Sequence, residues 1–224
     1  MHSRAAMPGA RIGDYVIDHE LSGTDSSTMY LGAHAVLPRT AYVIVGASAL
    51  VREACVLEAL HGPGVPRVYE CGVLADGRVW IAVERIPGPT IADVGALSAR
   101  DGAIVLRDVG AILERAAAAA IAHGRLEPRL LVRGPDCWSV VAWTVASNGG
   151  EPRDDVRELA AIVERALANA HVPLRLATLI ERAKACELTA TDLRHRAAQL
   201  IDAGELDEQI VQVEVELIDI GGLG

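Results

Sequence analysis

The sequence predicts an α+β protein in two lobes: a small antiparallel sheet of five strands with one helix, then a mainly helical lobe. Three observations carry this. Between residues 11 and 84, five short apolar runs follow a strand pattern, separated by small polar or Asp-Gly turns. Inside that region Leu50–Leu60 has helical spacing, with Ala54, Leu57 and Leu60 on one face. After Pro87-Gly88-Pro89, apolar residues recur at helical spacing through most of the remaining chain.

In order, residues 1–10 are expected to be a loose, flexible leader. Arg11–Leu21 reads as a strand carrying Tyr15, Val16 and Ile17. The run LSGTDSST from Leu21 to Thr28 is a turn of small polar residues, and Met29–Ala33 is a second strand. His34–Thr40 turns around Pro38, and Ala41–Val45 is a third, strongly apolar strand. The helix Leu50–Leu60 is stopped by His61-Gly62-Pro63-Gly64, since glycine frees the backbone and proline cannot continue a helix. Val68–Leu74 and Arg78–Glu84 alternate as strands around the hairpin turn Ala75-Asp76-Gly77.

In the second part, Thr90–Val94 makes one turn of helix. Ser98 to Asp101 resembles a capping box, with Asp as its last residue, and opens a long helix predicted to reach His123. Val105, Val109, Ile112, Leu113, Ala116 and Ala120 form its apolar stripe. Leu130-Leu131-Val132 and Cys137–Trp143 predict a short hairpin, and Asn148–Pro152 is a breaker. Asp154–Ala168, Pro173–Cys186 and Ala190–Ile201 are helices, the last with a start signal at Thr189 to Asp192. Glu208–Ile220 sets Val211, Val213, Val215 and Leu217 against Gln212, Glu214 and Glu216, which is a strand pattern. The expected organisation is a leader over 1–10, a first lobe over 11–86, a second over 87–206 and a strand-like tail over 207–224.

Composition narrows function. Hydrophobic residues at 51% and charged residues at 23% are a globular balance. A net charge of −9 argues against a nucleic-acid or anionic-membrane surface, both of which need clustered cations. Lys184 is the single lysine. Cys55, Cys71, Cys137 and Cys186 form no C-x-x-C pair and have no histidine at metal-ligand spacing, so free thiols and no metal are expected. No signal-peptide pattern opens the chain, and the alanine-rich stretch Ala116–Ala122 is too short to span a bilayer. A soluble, cytoplasmic protein is the expectation.

Arg52-Glu53-Ala54, the break from His61 to Pro63, Val65 to Gly72, the Asp76-Gly77 hairpin and Glu84-Arg85-Ile86-Pro87-Gly88-Pro89-Thr90 occur in one order. In that order the chain resembles a bacterial Ser/Thr protein kinase. The family reads there as an R-E-A helix, an H-P break, V-x-R-V-Y-x-x-G, a D-G hairpin and E-Y-x-P-G-x-T/S. The resemblance implies a bilobal kinase-like fold, truncated in the second lobe, since a full kinase domain is usually longer.

Phosphoryl transfer needs a glycine loop on the phosphates, a strand-three lysine, a catalytic Asp, and an Asn and an Asp on Mg²⁺. The resemblance puts Ser22, Thr24 and Ser27 where the three glycines belong, and Ile44 where the lysine belongs. Glu53 stands at the position of the helix glutamate; without its lysine it is expected to be solvated or paired with an arginine. The loop His123-Gly124-Arg125-Leu126-Glu127-Pro128 has no H-R-D triplet and no Asn, and Glu127 reads as a solvated loop carboxylate. Ala142-Trp143-Thr144 falls on the metal-binding D-F-G, keeping an aromatic for packing but no metal ligand. Asp155-Val156 matches the helix start that ties down the catalytic loop. Ser22, Thr24, Ser27, Ile44, Glu53, Val83 and Ala142 are thus the degenerate pocket positions, with no cofactor expected.

Other constellations are bland. No G-x-S-x-G elbow is present, the seven histidines read as surface or capping residues, and Trp80, Trp138 and Trp143 read as core. Asp154-Asp155 reads as a charge pair at a helix N-terminus. The expectation is a pseudokinase that binds a protein partner or itself. Val211, Val213, Val215 and Leu217 are candidates to add to a sheet edge, in another molecule or in the same one. Two alternatives stay open: an atypical nucleotide-dependent enzyme using Arg39 or Arg52, or an unrelated α+β interaction protein.

Overall fold

The computed structural model describes residues 8–143, 146–148, 150–168, 170–204 and 206. The predicted tail strand, Glu208–Ile220, lies outside them.

The first lobe is a six-stranded antiparallel sheet, one strand more than expected. Its strands are β1 (Arg11–Ile12), β2 (Tyr15–Gly23), β3 (Ser27–His34), β4 (Thr40–Gly46), β5 (Val68–Val73) and β6 (Val79–Glu84), in the order β1-β2-β3-β4-β6-β5. The extra strand arises because the chain doubles back at Gly13, whose φ of +57° suits glycine, so that Ile12 pairs with Tyr15. A Cβ there would collide with the ring of Trp80. The Glu70 carboxylate accepts the Asp14 amide at 3.0 Å and fixes the turn. Gly9 and Ala10, expected to be loose, are bonded to Ile17.

Both faces of β6 are covered, which is why Val79, Trp80, Ile81, Ala82 and Val83 are all buried. One face meets α1 (Ala49–Ala59) through Leu50, Ala54 and Leu57. The other closes over Tyr15, Ile17, Tyr30, Val43 and Trp80 as a second core. Strands with two buried faces carry apolar residues at successive positions, as β6 does.

Pro87–Pro89 leads into the second lobe. Gly88 has φ of +141°, and a Cβ on it would collide with the Arg133 carbonyl oxygen. The Arg133 amide donates to the Pro89 carbonyl at 2.9 Å, so the linker lies against the second lobe. Thr90 then caps α2 (Ile91–Val94) in a full capping box with Asp93.

The helical lobe is built on α3 (Ala99–Ala118), α4 (Pro152–Ala166), α5 (Leu174–Lys184) and α6 (Ala190–Asp202). Val105, Leu106, Val109, Ile112 and Leu113 of α3 are buried against the neighbouring helices and strands. Ser98 accepts the Asp101 amide at 3.0 Å, the predicted start. The predicted end at His123 is corrected: α3 stops at Ala118, Ala120 has φ of 55°, and Ile121–Ala122 forms β7. Alanine offers no stop signal; burial of Ile121 and Ala122, with pairing to β10 (Ser147–Asn148), decides the matter. The predicted hairpin is present as β8 (Leu131–Arg133) and β9 (Trp138–Val140). The helix α4 starts at Pro152, two residues early, because proline suits the first helical position. Thr189 and Asp192 form the expected capping box of α6.

Candidate functional site

A cleft of about 410 Å³ lies between the lobes, and all seven pocket positions named from the resemblance line it. The end of β2, the turn after it and the start of β3 bring Ser22, Thr24 and Ser27. β4 and β6 bring Ile44 and Val83, α1 brings Glu53, and the chain after β9 brings Ala142. Sequence spacing alone could not have united positions so far apart in the chain; the resemblance did.

The turn is closed on itself. The Thr24 hydroxyl oxygen accepts the amides of Ser26 at 3.3 Å and Ser27 at 3.1 Å, and the Thr24 amide donates to the Ser27 carbonyl at 2.8 Å. Three backbone donors are therefore spent inside the turn. A phosphate-cradling loop works by leaving such donors pointed at the anion.

Behind it, Ile44 sits between Met29 of β3 and Ile81 of β6. Glu53 corrects the expectation of a solvated charge. It is buried, and its Oε1 accepts the Trp143 amide at 3.1 Å, joining α1 to the second lobe across ninety residues of chain. Trp143 is fully buried, donates its indole N–H to the Val140 carbonyl at 3.1 Å, and stands edge-on to His123 with centroids 4.8 Å apart. The expected core role of Trp80 and Trp138 also holds.

The loop after α3 is pinned from α4. Asp155 is buried and accepts the amides of His123 at 2.7 Å and Gly124 at 2.8 Å, while Glu158 accepts that of Leu126 at 2.8 Å. This bears out the loop-tying role of Asp155; both aspartates stand in the first turn of α4 as expected, Asp155 buried and Asp154 half-buried and paired with Arg157 at 2.9 Å. Burial pushes the Asp155 carboxyl up to about 6, against the two amide bonds that pull it down. His123 is buried too, not a surface residue, and burial pushes its ring below the usual histidine range. No local pattern marks that histidine as internal; only the packing of Trp143 does.

Glu127 is held by Arg125 at 2.9 Å and Arg129 at 2.6 Å. Arg129 is the one arginine among the described residues lining the cleft, and sequence reasoning missed it. Arg39 instead stacks over Tyr69, 4.3 Å from the ring centroid, and Arg52 is exposed on α1; neither lines the cleft. A larger cavity, about 680 Å³, opens beyond the linker beside His61, Arg67, Glu84 and Cys137. Among the described residues, no group of three His, Cys, Asp or Glu side chains is placed to hold a metal ion.

These features define a protein-kinase-like fold: a curled antiparallel lobe with one helix, a Pro-Gly linker, a helical lobe and a cleft between them. The solved structures it is similar to include the kinase domain of PknI from Mycobacterium tuberculosis, with a TM-score of 0.68 and 20% identity over 89% of this chain and 100% of that one. A mutant of that domain, with one cysteine changed to alanine, gives a TM-score of 0.66 and 19% identity, over 89% and 99%. The likeness shows a kinase-like fold. No family model and no curated protein matches the chain.

Proposed function

We propose that this kinase-like chain is a pseudokinase, which does not transfer phosphoryl groups and serves as a protein-binding scaffold or allosteric regulator in the cytoplasm. The observation that supports this most is the lining of the cleft. Its described charged side chains are Glu53, Glu84 and Arg129, and Arg129 is paired with Glu127. A triphosphate with Mg²⁺ needs lysine and carboxylate partners on its phosphates and metal; two glutamates and one engaged arginine do not balance it. The closed turn of Thr24 supports the same reading. No described helix is long and apolar enough to cross a membrane.

The second reading, an atypical nucleotide-dependent enzyme, is favoured by Arg129 alone, since it is a cation at the cleft. Thermal unfolding with and without Mg-ATP, beside a phosphate-release assay, separates the two. The proposal expects no shift and no release. A raised melting point with ATP turnover that Arg129→Ala abolishes would establish the enzyme instead.

A further inference from the structure

We propose that the larger cavity, beyond the linker, binds a small organic cation: an amine or guanidinium carried on a hydrocarbon body. The cavity has a volume of about 680 Å³, a size that suits a small-molecule site. Both lobes wall it, and its frame is fastened. The Arg115 guanidinium donates to the Pro63 carbonyl at 2.6 Å, and the Val140 amide donates to the Gly64 carbonyl at 2.9 Å. The loop after α1 is thereby tied to the second lobe. Leu57, Val65, Val68 and Ile86 give the cavity apolar walls.

Ser139 is the residue that points to an occupant. Trp138 and Val140 on either side of it enter the core, so alternation along β9 turns Ser139 and Cys137 to the cavity. Ser139 is 3% exposed, yet its hydroxyl bonds to no other described group. A buried hydroxyl needs a partner, and a donor or acceptor entering the cavity supplies one. Charge selects the kind of occupant. The described ionisable groups lining the cavity are Glu58, Glu84 and Asp136 against Arg67, with His61 and Cys137 beside them. One oxygen of Glu84 accepts the Arg67 amide at 3.2 Å, and Glu58 and Asp136 make no ion pair with a described residue. His61 Nδ1 lies 3.0 Å from the Glu58 carbonyl, which can only accept, so in the neutral ring Nε2 is left as an acceptor. Burial, with the carboxylates of Asp108 and Asp136, pushes the Cys137 thiol up and keeps it uncharged. An anion here would meet three carboxylates and one guanidinium. A cation finds acceptors on both lobes, Glu58 and Glu84 from the first, Asp136 and Ser139 from the second. Leu57, Glu84 and Ile86 also line the cleft, so the occupant rests on a wall that the two cavities share. Binding here does not depend on whether the cleft is catalytic.

Amide NMR spectra of the full chain test this with three probes that share one body: phenylpropylamine, phenylpropanol and phenylpropanoate. The amine should shift the amides of Gly64, Gly134, Cys137 and Ser139 saturably, at roughly millimolar concentration or below. The alcohol should bind at least about tenfold more weakly, and the acid should not bind. Glu84→Gln/Asp136→Asn keeps the side-chain shapes and the acceptor for the Arg67 amide, and should weaken the amine about tenfold. Ser139→Ala should weaken it roughly fivefold. The same spectra report whether each variant is folded, and the ranking of the three probes on the wild-type chain decides the matter where one is not. No saturable shift with the amine overturns the proposal. So does equal binding of the alcohol, which would make the cavity an apolar crevice. Shifts centred on Ile44 and Ala142 overturn it too, since the amine would then sit in the cleft. Undiminished binding by both folded variants does the same.

Discussion

Replacing Asp155 by asparagine tests whether burial or hydrogen bonding governs the carboxyl that pins the loop after α3. Its value near 6 stands above the unfolded value of 3.8. A raised folded value means that the contribution to stability is complete below about pH 3.8 and is lost as pH rises through about 6. At roughly 1.4 kcal/mol per unit, the whole change is about 3 kcal/mol, of which about 2 falls between about pH 4.5 and 7. The amide of Asp155→Asn cannot titrate. It keeps one oxygen for the amides of His123 and Gly124, so the lost acceptor costs about 1–3 kcal/mol at every pH. His123, whose lowered value makes it cost stability as pH falls below its usual range, stays in both proteins and largely cancels in the comparison. The assay is urea unfolding followed by the fluorescence of the buried Trp80, Trp138 and Trp143. The advantage of wild type over Asp155→Asn should shrink by about 2 kcal/mol from about pH 4.5 to 7. Parallel pH curves, or an advantage that grows with pH, would refute the reasoning and show that the bonds of 2.7 and 2.8 Å outweigh burial.

Three further outcomes are expected. Glu53→Ala should lower the urea-unfolding free energy by about 1–3 kcal/mol by leaving the Trp143 amide unsatisfied, while Glu53→Gln, which keeps an acceptor oxygen, should lose less. Trp143→Ala empties a fully buried site and should cost about 3–5 kcal/mol, read as a fall in melting temperature. Gly88→Ala places a Cβ against the Arg133 carbonyl at positive φ, so hydrogen exchange at the Arg133 amide should accelerate as its bond to Pro89 breaks.

Much of the frame was legible because its signals are local. The hairpin at Asp76-Gly77, the caps at Ser98 and Thr189 and the short apolar runs of the strands all lie within a few residues of what they specify. The cleft positions were legible through the family likeness, which carried Ile44 of the first lobe and Ala142 of the second to the same cavity. The misses were long-range. Glu53 finds its partner ninety residues away, Asp155 reaches back to His123, and the end of α3 is set by a strand pairing beyond position 145. Arg129 was invisible as a cleft residue because its place depends on how the loop after α3 folds under Asp155 and Glu158.

The turn that Thr24 closes has a bearing on any attempt to build a phosphate site into the cleft. A lysine placed at position 44 would put one ammonium in a cavity that already holds Glu53, yet the neighbouring hairpin would still keep its amides to itself. Under the reading proposed above, a phosphate-binding variant would need the hairpin rebuilt first, with glycines in place of hydroxyls, before any single charge had an anion to meet.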